Sequence, residues 1–85
     1  MKGMQSVRVK LDYPLEHVKE PIIYHLVTDF GLVPNIRRGN IDVNTGGYLV
    51  LEIDGEPEQL EQGLAFLRSL GITVTEVGTE QSWAV

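Results

Sequence analysis

The stretch Asn44-Thr45-Gly46-Gly47-Tyr48-Leu49-Val50-Leu51-Glu52-Ile53-Asp54-Gly55 decides the fold. Asn44 to Gly47 carries the residue types that a hairpin turn demands. Leu49, Leu51 and Ile53 then alternate with Val50 and Glu52, the period of two of a strand with one face on a core. Gly55 stops it. Upstream, a second extended stretch runs from about Val33 to Val43. Its phase slips, because Ile36 is at an even position while Ile41 and Val43 are at odd ones. Gly39 lies between them, where a bulge or a close backbone approach would reconcile the two halves. Residues 33–55 therefore read as an antiparallel hairpin.

Each flank of the hairpin adds a helix and a strand. On the N-terminal side, Val7, Val9 and Leu11 alternate with Arg8, Lys10 and Asp12, a half-buried strand. After a polar stretch with Pro14, Pro21 opens a helical pattern, since its missing N–H costs nothing in a first turn. Ile22, Ile23, Leu26, Val27 and Phe30 share one face at helical spacing, and Gly31 suits the residue just past the helix end. On the C-terminal side, Glu56-Pro57-Glu58 suits another helix start. Leu60, Leu64 and Leu67 form its apolar stripe, widened by Phe66 and Leu70, and Gly71 ends it. Ile72, Val74 and Glu76-Val77 read as a last strand.

The order β-α-β-β-α-β predicts an α+β, ferredoxin-like sandwich, a four-stranded antiparallel sheet with two helices on one face. The whole chain, 1–85, reads as a single domain with a core of about 5–78 and a short C-terminal tail that carries Trp83, its only tryptophan. Eighty-five residues leave room for only a modest core, so partnering would help.

Composition excludes several chemistries. There is no cysteine, hence no disulfide, thiolate metal site, iron–sulfur cluster or catalytic thiol. No apolar run approaches the length that spans a bilayer, and Met1 to Val9 carry no apolar signal-peptide core. A cytoplasmic protein without direct membrane insertion is expected. A net charge of −5 argues against general phosphate-backbone binding. RNA-recognition modules of this topology stack bases on strand aromatics, whereas the third strand here has one, Tyr48, and the first has none before Tyr13. No nucleic-acid partner is expected.

The polar constellations read the same way. His17 precedes the first helix and His25 lies on its flank, and neither has a second ligand or a nucleophile at working distance in sequence. Both read as solvated histidines. Glu52, Asp54, Glu56, Glu58 and Glu61 do not match a calcium loop and read as a solvated acidic helix start. Gly46-Gly47 lacks the Lys-Ser/Thr and the helix of a phosphate loop and reads as turn. No catalytic residue, metal site or cofactor follows, and the protein is expected not to be an enzyme.

The informative segment is Pro34-Asn35-Ile36-Arg37-Arg38-Gly39-Asn40-Ile41. Arg37-Arg38 is the only adjacent basic pair, in a chain that is otherwise acidic, on a predicted edge strand. An edge offers unpaired backbone groups to a partner chain or a ligand, and charge there equally guards against unwanted pairing.

These residues resemble the NIL domain, an ACT-like family named for an Asn-Ile-Leu motif in its second strand. Matching positions are Asn35-Ile36-Arg37, Gly39, Ile41, Gly47, Leu49-Val50-Leu51-Glu52-Ile53 and Gly55. In the second helix and after it come Leu67 and Gly71-Ile72-Thr73-Val74, and Glu20-Pro21 resembles the family's first helix start. The likeness runs from about Val7 to Val77. It implies a regulatory domain of the kind found at the C-terminus of methionine-import ABC transporter ATPases. There such domains dimerise and bind methionine, and the bound amino acid inhibits transport. Others are fused to ferredoxin-type iron–sulfur modules or stand alone, and this chain is expected to be of the free-standing kind.

The resemblance thus implies a non-enzymatic homodimer with a small amino-acid ligand, methionine or a relative of it, at Asn35, Ile36, Arg37 and Arg38. An amide offers donor and acceptor to the amino acid, and an apolar wall suits its thioether. One departure stands out. Arg37 occupies the motif's leucine position, and a guanidinium can hold a carboxylate bidentately. The alternative is an interaction subunit without a small ligand, assisting a larger sulfur-metabolism, transporter or iron–sulfur protein.

Overall fold

A computed structural model describes residues 3–14, 21–42 and 44–77. They form β1 (Gln5–Tyr13), α1 (Ile22–Phe30), β2 (Val33–Asp42), β3 (Gly46–Gly55), α2 (Pro57–Ser69) and β4 (Thr73–Glu76). All strand pairs are antiparallel, and the sheet order is β2-β3-β1-β4. This is the expected α+β, ferredoxin-like arrangement. His17, Glu20, Val43 and Trp83 lie outside the described residues.

The period of two in β1 and β3 becomes two differently used faces. Val9 pairs with Leu51 and Leu11 with Leu49, so these side chains share one face. Helix residues Ile22, Leu26, Leu60, Leu64 and Leu67 pack on that face, joined by Leu32 and Ile72 from the connections. Each such side chain contributes about 1.5–3 kcal/mol by leaving water. Among the described residues no polar side chain is buried.

Local chemistry sets the helix ends. Pro21 occupies the N-cap of α1 rather than its first turn. Gly31 ends α1 in the left-handed region at φ 66°, and the Gly31 and Leu32 amides donate to Val27 and Leu26 carbonyls. Leu26 and Leu32 are both buried, the apolar contact that commonly accompanies such a helix end. Pro57 stands in the first turn of α2, with Glu58 at its positive end and Arg68 at its negative end, as charge complementarity with the helix dipole favours.

Three boundaries differ from the sequence reading. Gly46 and Gly47 belong to β3, and the turn contracts to its neighbours Asn44 and Thr45. There the Asp42 carboxylate accepts from the Asn44 amide at 2.6 Å and the Asp42 carbonyl from the Thr45 amide at 3.3 Å. That side-chain bond closes the turn early, leaving both glycines free to pair with β2. The second difference is Ile72, which is buried just before β4 instead of lying in it. Third, the register slip in β2 falls between Ile36 and Arg38, which leaves Arg37 as the extra residue. Gly39 is not the bulge but does sit in close approach, since a β-carbon there would run into the Leu49 side chain.

Candidate functional site

The bulge decides what β2 presents. Before it, Val33 and Asn35 pair with Asp54 and Glu52; after it, Arg38 and Asn40 pair with Val50 and Tyr48. All four partners lie on the sheet face away from the helices. Odd positions before the bulge and even positions after it therefore share that outer face. Pro34, Ile36, Gly39 and Ile41 take the helix side, opposite Ile53, Leu51, Leu49 and Gly47. The phase slip seen in the sequence is the signature of this device.

Asn35, Ile36, Arg37 and Arg38 thus do not converge. Asn35 and Arg38 share the outer face, Ile36 turns to the other, and Arg37 occupies the bulge between them. All four are exposed. Asn40 completes the outer row. Sequence spacing alone does not single it out, but the parity change after the bulge gives its side. The row offers two amides and a guanidinium, five N–H donors of the last kind in a fixed fork. Val33, Ile36 and Ile41 add exposed apolar surface to the same strand. β2 is an edge of the described sheet, so one row of its backbone groups faces no other described strand.

Other side chains of the outer face are engaged with one another. The Ser6 hydroxyl donates to the Asp54 carboxylate at 2.6 Å. Arg8 pairs with Glu52 at 3.7 Å, and Lys10 pairs with Asp12 at 3.6 Å while lying 5.4 Å from the Tyr48 ring centre. Such exposed pairs add at most about 1 kcal/mol each, but they occupy the neighbouring acids. Val50, between the Arg38 and Lys10 positions, is buried yet stands outside the helix-side core.

Among the hollows of the described surface, one of about 290 Å³ is lined by Asn40, Asp42, Thr45, Gly46, Gly47 and Tyr48, at the turn end of the same hairpin. Another of about 300 Å³ lies between Arg8, Glu52 and Glu76, and one of about 470 Å³ between Met4, Phe30 and Glu56. Asn35, Ile36, Arg37 and Arg38 line none of these three. In the single chain they form an open edge.

His25 is not simply solvated. Its Nδ1 lies 2.9 Å from the Asp29 carboxylate one turn on, with the Tyr24 and Phe66 rings edge-on at 5.5 and 5.7 Å. It fastens α1 to α2. Among the described residues no three His, Asp or Glu side chains gather at metal-ligating distance. Glu52 and Asp54 go to the outer sheet face, while Glu56, Glu58 and Glu61 are exposed around the start of α2.

Tyr13 is buried at the end of β1, and burial pushes its hydroxyl from 10.0 up to about 12. The unfolded chain releases this proton first. The contribution of Tyr13 is thus complete below pH 10 and is lost as pH rises from 10 to 12. Urea unfolding across that range should show a falling stability whose slope is shallower in Tyr13→Phe. An unchanged slope would contradict the burial.

The sequence profile of the NIL domain matches residues 7–76. The chain belongs to the NIL domain family. Curated relatives carry the domain within longer proteins. The methionine import ATP-binding protein MetN of Helicobacter pylori strain J99 is 35% identical over 65 residues, 73% of this chain and 20% of that protein. The protein of the same name from Protochlamydia amoebophila is 36% identical over 71 residues, covering 80% and 21%. MetN 2 of Rhodopseudomonas palustris is 40% identical over 62 residues, covering 69% and 16%. This NIL domain therefore spans about a fifth of the length of these relatives. Among solved structures, the C-terminal domain of an ABC transporter ATP-binding protein from Enterococcus faecalis superposes with a TM-score of 0.74 at 27% identity. The match covers 87% of this chain and 86% of that one, so the NIL fold is common to both. No described helix is long and apolar enough to cross a membrane.

Proposed function

We propose that this NIL domain is a non-catalytic, cytoplasmic amino-acid sensor that holds L-methionine at the β2 edge, between two copies of the chain. The observation that carries the reading is the exposed edge strand itself. It combines the donor row Asn35, Arg38 and Asn40 with the apolar Val33, Ile36 and Ile41, and leaves them open in one protomer. The names of its relatives, methionine import ATP-binding proteins, supply the ligand. In this reading the amides and guanidinium take the carboxylate, edge carbonyls take the ammonium, and isoleucine side chains wall the thioether. A second copy supplies the enclosure that an open strand lacks. The whole 1–85 chain acts as one such domain.

Thermal unfolding with L-methionine, beside a panel of other amino acids, tests this. Ligand at a hundred times its Kd adds about 2.7 kcal/mol. For a domain of this size that raises Tm by roughly 10–20 °C. The shift should be methionine-selective and largely lost in Asn35→Ala. Equal melting curves at millimolar methionine would overturn it.

A second reading has its own support. α1 leaves Tyr24 and Val27 exposed beside its buried residues, so its apolar surface extends past the side that packs on the sheet. Together with relatives about five times longer, this suits docking onto a larger transporter or sulfur-metabolism protein. Such a subunit would ignore amino acids and co-purify with that protein.

A further inference from the structure

We infer that the bulge in β2 migrates by one residue, so that Arg37 and Arg38 take turns at the one outer-face place opposite Val50. These two residues fill a stretch of β2 that has only Val50 facing it on β3. Ile36 pairs with Leu51 before the stretch, and Gly39 pairs with Leu49 after it. With Arg37 as the extra residue, Arg38 stands opposite Val50. With Arg38 as the extra residue, Arg37 stands there, and neither half of the strand has to move. The odd positions Val33 and Asn35 then keep their face for one residue more.

The neighbours on either side bracket the exchange. Moving the extra residue back to Ile36 would set Arg37 opposite Leu51, which is fully buried on the helix side. An isoleucine against that core would be replaced by a charge. Moving it on to Gly39 would set Arg38 opposite Leu49. That place is crowded, since a β-carbon at Gly39 would run into the Leu49 side chain and lie 3.1 Å from the Tyr48 carbonyl oxygen. Between these limits the ladder offers two places for the extra residue, and the chain puts an arginine at both. Each arrangement keeps the same number of ladder pairs and the same residue type over the buried Val50, which an arginine stem is long enough to cover. Arg37 makes an interaction of its own where it stands, which migration gives up for the place opposite Val50. Both side chains are exposed, so the exchange trades one solvated position for another. Register is weakly held in strands that bury neither face, and every residue of β2 except Pro34 is exposed. The row with Asn35 and Asn40 therefore keeps one guanidinium whichever arginine supplies it. Its use for a ligand rests on the reading above, whereas the exchange itself does not.

Backbone ¹⁵N relaxation dispersion of the full chain, without ligand, tests this, because a register exchange falls in the microsecond-to-millisecond range that it reads. Exchange should be confined to residues 36–39 and 49–51. Deleting Arg37 or deleting Arg38 gives one and the same chain, with no extra residue in β2. Its ladder is regular, and the dispersion should vanish. Two valine variants give the direction. A β-branched residue favours the regular strand place over the bulge and packs against Val50 across the strands. Arg38→Val should hold the register described here, and Arg37→Val should drive the other. The Leu49 and Val50 amide signals should therefore move in opposite senses from their positions in the parent chain. Flat dispersion in the parent, dispersion that survives loss of one arginine, or displacements of the same sense in both valine variants would overturn the inference. None of these measurements involves methionine, so the exchange can fail while the ligand site stands, and the ligand site can fail while the exchange stands.

Discussion

Leu51→Ala should cost about 3–5 kcal/mol. The side chain is fully buried in the central strand β3, with Val9 opposite it on β1 and Ile36 on β2. Truncation removes the transfer energy of the lost carbons and leaves a void in the core at the point where both ladders meet. A chain of this length has a total stability of only roughly 4–13 kcal/mol. The variant therefore sits near or below half-folded at the low end of that range. Urea unfolding followed by circular dichroism measures it, with Leu51→Met as the volume-preserving control at less than about 1.5 kcal/mol. A loss under 1 kcal/mol for the alanine variant would mean that the core is not centred where these residues place it.

Gly47→Ala should cost about 2–4 kcal/mol, as large as a core truncation, although it adds only a methyl group. A β-carbon at residue 47 would run into the Asn40 carbonyl oxygen and stand 2.6 Å from the Ile41 Cα. Both obstacles are backbone, so relief requires β2 to move away from β3. At Gly39 the nearest obstacle is the end of the Leu49 side chain, which can rotate. Gly39→Ala should accordingly be the milder of the two. Amide hydrogen exchange separates this local effect from a general one. In Gly47→Ala, protection should fall first along β2 and the start of β3, while the β1–β3 ladder keeps more of its own. Uniform loss, or no loss, would contradict the close approach. Because β2 carries the donor row, the same variant should weaken ligand binding without touching Asn35 or Arg38.

Much of this architecture is legible from spacing alone. Alternation in β1 and β3 and the helical stripes of α1 and α2 fix the element order, because each buries one face against the same core. The turn was harder to place. Asn44 to Gly47 has hairpin composition throughout, but only the Asp42 side-chain bond to the Asn44 amide shows where the chain reverses. The site was half legible. A phase slip in β2 was visible, yet two positions could absorb it, and the choice of Arg37 over Gly39 puts Asn35, Arg38 and Asn40 on one face. Spacing along a strand cannot separate those outcomes, because they depend on where the ladder to β3 closes. Sequence alone reads His25 as solvated, because its ring neighbour Phe66 lies on another helix and its Asp29 partner is set by the helix phase.

Binding of L-methionine at the β2 edge would have a direct spectroscopic signature. Titrating uniformly ¹⁵N-labelled protein with L-methionine and following backbone amide shifts tests it most directly. The largest changes should fall on residues 33–42, with the Asn35, Arg38 and Asn40 side-chain signals moving together, and the α2 amides should stay in place. Saturable changes centred on another hollow, such as the one between Met4, Phe30 and Glu56, would contradict it, as would no change at millimolar methionine.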